Sequence, residues 1–394
     1  MTNTSIAKNG RRVAIMLDLE WPYKRHVGIF GGTQQYGQEK GWISTVDEYA
    51  ADTLPSEPAS WLPYDGIIAR ATKKLAQRAE RLGIPVVNVW FSSPVRDELP
   101  GVFADYQAMG RMRAEHLLTR GLHRFAAIIA NNNRANDIEA KAFKDSVSEE
   151  GHTCTMTKVP LDIARTLSSW RKTEQAIEES MNDWQLPIGI FVASETVGRI
   201  VAQLCRRRGW RVPEDVSIVT GMNEETICLN PRPTLTSVEV GFERIGFEAA
   251  KILDQLMDGK AAPAKPIFLP PQSLIVREST DFFAVEDELV ATALEFISAN
   301  CHQSIGPDDV ARALTVETRT LQRRFRKHLN RPIATEIRRV RLERAKRELV
   351  QSDRSVREIS HNVGFGEPMR MYEIFRRELG LSPTEYRQQR LGEQ

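Results

Sequence analysis

Short apolar runs that recur along the first two-thirds of the chain constrain its fold more than any other feature. VAIML (13–17), DGIIA (65–69), PVVNV (85–89), RFAAIIA (124–130), IGIFVA (188–193) and VSIVT (216–220) do not alternate apolar with polar residues, as a strand with one wet face would. Near-continuous apolarity means burial on both faces, which parallel strands achieve when helices cover both sides of the sheet. The stretches between the runs supply such helices. MGRMRAEHLLTRG places Leu117 and Leu118 on an apolar stripe and ends on Gly121, which suits a helix C-cap. Strands alternating with helices predict a doubly wound α/β fold over residues 12–280, after a disordered start over 1–11.

Ligands of that fold sit beyond the carboxyl ends of the strands, where strand order reverses. The polar and aromatic residues that follow the runs are therefore candidates: Glu20, Tyr23 and Arg25, then Arg70, then Trp90. Further on come Asn131 to Asn133, Ser194 and Glu195, and Met222 to Glu225, with Asn223 among them. An aromatic ring beside carboxylate, amide and guanidinium groups suits a sugar, whose hydroxyls exchange paired hydrogen bonds while its C–H face stacks on the ring. Each of these residues also has a plainer use as a helix cap, a surface ion pair or loop.

Enzyme chemistry finds little support. No G-x-G-x-x-G follows the first run, since GIFGG (Gly28 to Gly32) has other spacing and falls in an expected helix, and neither G-x-x-x-x-G-K-[ST] nor G-x-S-x-G occurs. The histidines, His116, His123 and His152 among them, show no metal-ligand spacing. Cys154, Cys205, Cys228 and Cys301 lie far apart with no CxxC pair, so they read as thiols of a reducing compartment rather than disulfides or zinc ligands. No cofactor is expected. The first apolar run is broken at Asp18 and Glu20, too short for a signal segment or a membrane span, and a cytoplasmic protein that does not engage membranes is the expectation.

Residues 101–130, GVFADYQAMGRMRAEHLLTRGLHRFAAIIA, and 209–280, with GWRVPEDVSIV, PTLTSVEV and LPPQSLIVREST, resemble the sugar-sensing domain of LacI-type regulators. The resemblance implies a periplasmic-binding-protein-like sensor of two lobes that close on a small ligand, usually a sugar, and perform no reaction on it. It implies an effector contact at Asp105, before the first long helix of the match. The family's Arg after the next strand falls at Glu139, its Asn-Asp pair at Ser194-Glu195, and the Asp after its VSIV strand at Met222, so the usual pyranoside-binding set is altered here.

The chain changes character after Ser279. An amphipathic helix is expected from about Glu286, and no strand pattern appears beyond it. Of the chain's 54 Lys and Arg residues, 18 fall between Arg312 and Arg377, about twice the acidic residues there, although the whole chain is only +2. Such asymmetry is the electrostatic footprint of a nucleic-acid-binding segment. Within it, LQRRFRKHLNRP (321–332) is echoed by YEIFRRELGLSP (372–383), with Phe325 and Phe375 fifty positions apart. PDDVARAL (307–314) followed by ETRTLQRRFRKHL (317–329) forms one helix-turn-helix pattern; SVREISHNVGFG (355–366) followed by EPMRMYEIFRREL (367–379) forms a second. Leu321/Met371 and Phe325/Phe375 stand at i, i+4 and belong to the cores. EIRRVRLERAKRELV joins the two as a strong helix former, with Val340, Leu342, Ala345 and Leu349 inward.

RLERAKRELV, Ile359, Gly364 and Phe365 of IS-x-x-VGF, and SPTEYR resemble the AraC/XylS family over roughly 285–390. The resemblance implies an all-α domain whose two helix-turn-helix units enter successive major-groove segments of double-stranded operator DNA. The base-reading candidates are Thr318, Arg319, Gln322 and Arg323 in the first unit and Glu367, Pro368, Met369, Arg370 and Glu373 in the second. Arg pairs with guanine and Gln with adenine through two hydrogen bonds each. Arg324, Arg326, Lys327, Arg376 and Arg377 are expected on phosphates, which position without specifying. A LacI-like sensor before an AraC-type reader resembles bacterial pentose-operon regulators. That order implies a xylose-like sugar effector, a homodimer and an activator that meets RNA polymerase.

Overall fold

The computed structural model describes residues 10–21, 23–160, 166–281, 287–329, 331–352 and 354–392. In chain order they form β1 (Arg12–Met16), α1 (Lys24–Lys40), β2 (Ile43–Val46), α2 (Ala50–Thr53), β3 (Gly66–Ala69), α3 (Lys73–Leu82), β4 (Val86–Asn88), β5 (Val102–Ala104) and α4 (Tyr106–Thr119). There follow β6 (Arg124–Ala130), α5 (Arg134–Glu149), β7 (Thr153–Val159), α6 (Leu167–Ser180), β8 (Ile188–Val192), α7 (Glu195–Arg207), β9 (Val216–Thr220), α8 (Glu225–Leu229), β10 (Thr236–Glu239), α9 (Phe242–Met257), β11 (Ile267–Leu269) and β12 (Ser273–Ile275). The remainder is helical: α10 (Glu288–Asn300), α11 (Pro307–Ala313), α12 (Thr318–Leu329), α13 (Ile333–Gln351), α14 (Val356–Asn362), α15 (Pro368–Leu379) and α16 (Pro383–Gly392). Each of the six apolar runs is a strand.

The chain divides into two compact units, one of residues 1–109, 132–139 and 239–271, the other of residues 110–131, 140–238 and 272–394. The first unit holds a sheet in the order β2-β1-β3-β4, and β3 lies parallel to both β1 and β4. A bridge from Asn88 to Gly101 carries it on to the parallel pair β5–β11. Every residue of β3 and β4 is buried, as their continuous apolarity requires. Helix α3 shows the local logic of the covering helices. The Thr72 hydroxyl accepts from the Leu75 N–H at its start, and Gly83 turns left-handed at its end. Of the start expected to lack structure, residues 1–9 lie outside the described residues, but Arg11 does not fit the expectation. Its guanidinium donates to the Asp254 carboxylate at 2.7 Å and pairs with Asp258, anchoring it to α9.

The second unit contains the sheet β12-β10-β9-β8-β6-β7, parallel through β10, β9, β8, β6 and β7. Ile188, Ile190, Val192, Val216 and Ile218 of this sheet pack against Val197, Val201 and Leu204 of α7. The same unit carries the helical region, which has two cores of its own. One gathers Val290, Ala293, Leu294 and Ile297 of α10, Val310 of α11, Leu321 and Phe325 of α12, and Ile333 and Ile337 of α13. The other gathers Leu342, Ala345 and Leu349 of α13, Ile359 of α14, Met371 and Phe375 of α15, and Tyr386 of α16. Helix α13 therefore contributes its first half to one core and its second half to the other. At 19 residues it spans about 28 Å. The amphipathic helix expected from Glu286 begins at Glu288, because the Asp287 carboxylate caps the Leu289 and Val290 N–H groups; residues 282–286 lie outside the described residues.

Candidate DNA-reading and effector-binding residues

In the first reader unit, Pro307 occupies the first turn of α11, and Thr315 (φ 56°) makes the left-handed turn that leads towards α12. The Thr318 hydroxyl donates to the Asp308 carboxylate at 2.7 Å, tying the start of α12 to the start of α11. This occupies a side chain expected on a base. Gln322 is half-buried, while Arg319, Arg323, Arg326 and Lys327 are exposed. Among the described residues, none of these four cations makes a hydrogen bond or ion pair within the protein. Arg324 differs, since its guanidinium donates to the Asp287 carboxylate at 2.8 Å. Four of the five cations on α12 are thus uncommitted, and a polyanion would find them so.

The second unit repeats the geometry with other chemistry. Gly364 (φ +87°) makes the turn between α14 and α15, and a Cβ there would stand 2.1 Å from the Cys301 carbonyl oxygen, so the close approach requires glycine. Arg341 of α13 braces the same place, donating to the carbonyls of Cys301 at 2.8 Å, Gln303 at 2.7 Å and Ile305 at 3.1 Å. The loop before the first reader is thereby fixed to the turn of the second. Glu367 is the N-cap residue of α15, with Pro368 in its first turn, and Met369, Arg370 and Glu373 are exposed. Arg376 pairs with Glu385 at 3.3 Å and Arg377 with Glu378 at 2.7 Å. On α15 only Arg370 is left without an acidic partner among the described residues.

The effector candidates of the first unit gather beyond β1, β3 and β4. Arg70 lies over the Trp90 ring at 4.9 Å and the Trp21 ring at 5.9 Å. Burial weakens its hold on its proton, opposed by Asp18. Tyr23 stands 6.0 Å from Trp21 between ring centroids, and Arg25 lies over Phe242 at 5.8 Å. Trp21 escaped the sequence reading, although an aromatic just past the first run has the same standing as Trp90. Asp105 accepts from the Ala108 N–H at 2.8 Å, capping α4, and Glu139 is buried in α5.

The second unit offers a polar cluster at the ends of β8 and β9. Ser194 is the N-cap residue of α7 and makes no side-chain capping bond. Glu195 is buried and accepts from the Glu224 N–H at 3.2 Å. A Cβ on Gly221 would fall 2.2 Å from a Glu195 carboxylate oxygen, so glycine leaves room for that carboxylate. Arg113, wholly buried, donates to the Thr220 and Gly221 carbonyls and lies over the Phe191 ring at 4.7 Å. Burial pulls its pKa down to about 9, against the pull of Glu195. The sequence did carry a signal for Arg113: it stands four residues before Leu117, in phase with the apolar stripe of α4. Met222 is half-buried, and Asn223 (φ 59°) accepts from Arg277 at 2.7 Å and from Ser237 at 3.2 Å. Arg277 was another residue the sequence reading missed.

The four cysteines are buried and free, and burial pushes the Cys154 and Cys205 thiols up to about 12. Among the described residues no three His, Cys, Asp or Glu side chains gather as a metal site would need, and no helix is long and apolar enough to cross a membrane.

Residues 114–280 match the periplasmic binding protein-like domain family, and residues 310–389 match a helix-turn-helix domain family. The xylose operon regulatory protein of Haemophilus influenzae is 28% identical over 387 residues, covering 95% of this chain and 98% of that protein. The chain is similar to the xylose operon regulatory proteins along nearly its whole length. The one from Escherichia coli (strain K12) is 25% identical over 383 residues, 95% of this chain and 96% of its own. Among solved structures, a xylose-binding transcription activator matches with a TM-score of 0.58 at 23% identity, covering 96% of this chain and 98% of that one. A LacI family regulator from Enterococcus faecium with bound ribose matches with a TM-score of 0.53 at 17% identity, covering 68% of this chain and 98% of that one. These structures share the fold. The homologues are transcription regulators, not enzymes, and the expected architecture, an α/β sensor followed by a helical reader, is the one present.

Proposed function

We propose that this chain is a sugar-responsive transcription regulator of D-xylose catabolic genes, with a sensor over residues 12–280 and a reader over 281–394. The observation that carries the reading is the homology to xylose operon regulators along 95% of the chain, through sensor and reader alike. Arg319 and Arg323 read bases in the first unit, with Gln322 beside them, and Met369, Arg370 and Glu373 face the groove in the second. Arg326 and Lys327 hold phosphates. Arg324, Arg376 and Arg377 reach phosphate only by leaving Asp287, Glu385 and Glu378. The protein works in the cytoplasm as a homodimer and recruits RNA polymerase when its sensor is occupied. Sugar shifts the operator-binding equilibrium by its differential affinity for the two states of the sensor.

A different sugar or a sugar phosphate is the second reading. Arg70 between two tryptophans, with Arg25 in the same unit, favours it by offering a cation and stacking rings together. Titration of the protein onto DNA from upstream of its own operon, at about 0.15 M salt, separates the two. Tightening several-fold with D-xylose, and not with arabinose, ribose, glucose or xylose phosphate, is the expected result. Specific binding indifferent to xylose would overturn the effector assignment. In the Arg319→Ala/Arg323→Ala variant discrimination between operator and unrelated DNA should fall, by about 1–3 kcal/mol for each bidentate arginine–guanine pair removed.

A further inference from the structure

The second reader unit carries an open groove of about 330 Å3, lined by Arg354, Arg357, Glu358, His361 and Asn362 on and beside α14. We propose that this groove seats a DNA phosphate, with Arg357 as the cation that holds it. The proposal rests on the reading of the helical region as a DNA reader.

Three observations carry it. The Arg357 side chain is exposed and, among the described residues, has no acidic partner or hydrogen bond. Of the other charges of the groove, Arg354 stands 3.5 Å from Glu348, and the Glu358 carboxylate keeps its charge but is turned to the start of α14, accepting from the Ser355 N–H and hydroxyl, both at 2.8 Å. The recognition helix of this unit is poor in cations able to meet a phosphate, since Arg376 and Arg377 are paired and Glu367 and Glu373 are exposed beside Arg370. In a helix-turn-helix the leading helix crosses the sugar-phosphate backbone while its partner enters the groove. A guanidinium on the outer face of α14 therefore meets a phosphate, and its planar fork matches two phosphate oxygens, with the His361 and Asn362 side chains as further donors.

The first unit differs at the position of that cation. Counted from the paired core positions Val310 and Ile359, the residue matching Arg357 is Asp308, which accepts from the Thr318 hydroxyl. In the first unit the uncommitted positive charge stands on the recognition helix; in the second, half of it has moved to the leading helix.

The test is the salt dependence of binding by the full-length protein, measured by fluorescence anisotropy on operator DNA and on an unrelated duplex. Arg357→Ala should flatten the slope of log K against log salt by about 0.9 per protomer bound and weaken binding about fivefold at 0.15 M salt, equally on both duplexes. Arg357→Lys, which keeps the charge, should retain the slope. An unchanged slope in Arg357→Ala, or a slope in Arg357→Lys as flat as in the alanine variant, would overturn the proposal. So would intact DNA binding with lowered transcription, which would assign the groove to an acidic protein partner. If the wild-type protein bound no DNA, the reader assignment itself would fall, and the phosphate seat with it.

Discussion

Where the first reader unit buries Leu321 and Phe325, the second buries Met371 and Phe375, each pair one helical turn apart and each the centre of a separate core. Around those shared positions the two units diverge. The turn is made by Thr315 at φ 56° in one and by Gly364 at φ +87° in the other. Helix α12 carries five Lys/Arg and no acid, whereas α15 carries three Arg and two Glu. The comparison separates two kinds of constraint. A core position is restricted by the volume around it, so a repeat preserves it; an exposed position on a helix is restricted only by what it meets outside.

The largest effect tests whether the two cores are independent. Phe325→Ala and Phe375→Ala should each destabilise by about 3–5 kcal/mol, the usual cost of emptying a buried aromatic site. Hydrogen exchange should show Phe325→Ala loosening α10 to α12 and Phe375→Ala loosening α14 to α16. Loss of protection across both sets in either variant would mean that the braces at Arg341 and Gly364 merge the two units into one cooperative block.

A smaller effect comes from a buried ion pair in the first unit. Glu336 is fully buried at the start of α13, its carboxylate paired with Arg331 at 2.6 Å and accepting from Arg339 at 3.1 Å. Burial pushes its carboxyl up, but Arg339 and Arg331 outweigh that and hold it below its ordinary 4.5. A carboxyl held low in the folded state adds stability above its unfolded value and loses it as pH falls through the folded one. Glu336→Gln should therefore cost about 2 kcal/mol at neutral pH. In urea melts the gap from wild type should close as pH drops below about 4.5. A gap that stays constant with pH would show that the pair contributes through shape rather than charge. The corresponding corner of the second unit is aromatic, with Tyr386 edge-on to Phe375 at 5.7 Å.

How much of this was legible in the sequence follows the same division. Strands buried on both faces announce themselves, because burial on both faces excludes polar alternation, and the six runs fall on β1, β3, β4, β6, β8 and β9. The fifty-residue repeat located both reader cores for a similar reason. The polar wiring was less legible. Asn223 stood out as a candidate effector contact, but nothing local shows that Arg277, 54 positions on, takes its amide oxygen. Arg113 sits in phase with an apolar stripe, yet the Thr220 and Gly221 carbonyls that receive it lie over a hundred residues away. Nor does a run of arginines disclose which are already paired: Arg323 and Arg324 are neighbours in sequence, and only Arg324 meets an acid.

The smallest effect turns that last point into a test of why the second reader is weaker in charge. Glu373 lies exposed on α15, three residues past Arg370 and on the helix proposed to enter the groove. If its carboxylate faces DNA, Glu373→Lys removes one repulsion and adds one cation. Binding should then tighten about fivefold at 0.15 M salt, and the slope against log salt should steepen by about 0.9 per protomer. The gain should appear on unrelated DNA as well as on the operator, since phosphate contacts carry no sequence information. A gain confined to unrelated DNA, with weaker operator binding, would mean that Glu373 accepts from a cytosine amino group. The acid would then be a reader in its own right, and the second unit would differ from the first in the base it selects rather than in its share of the charge.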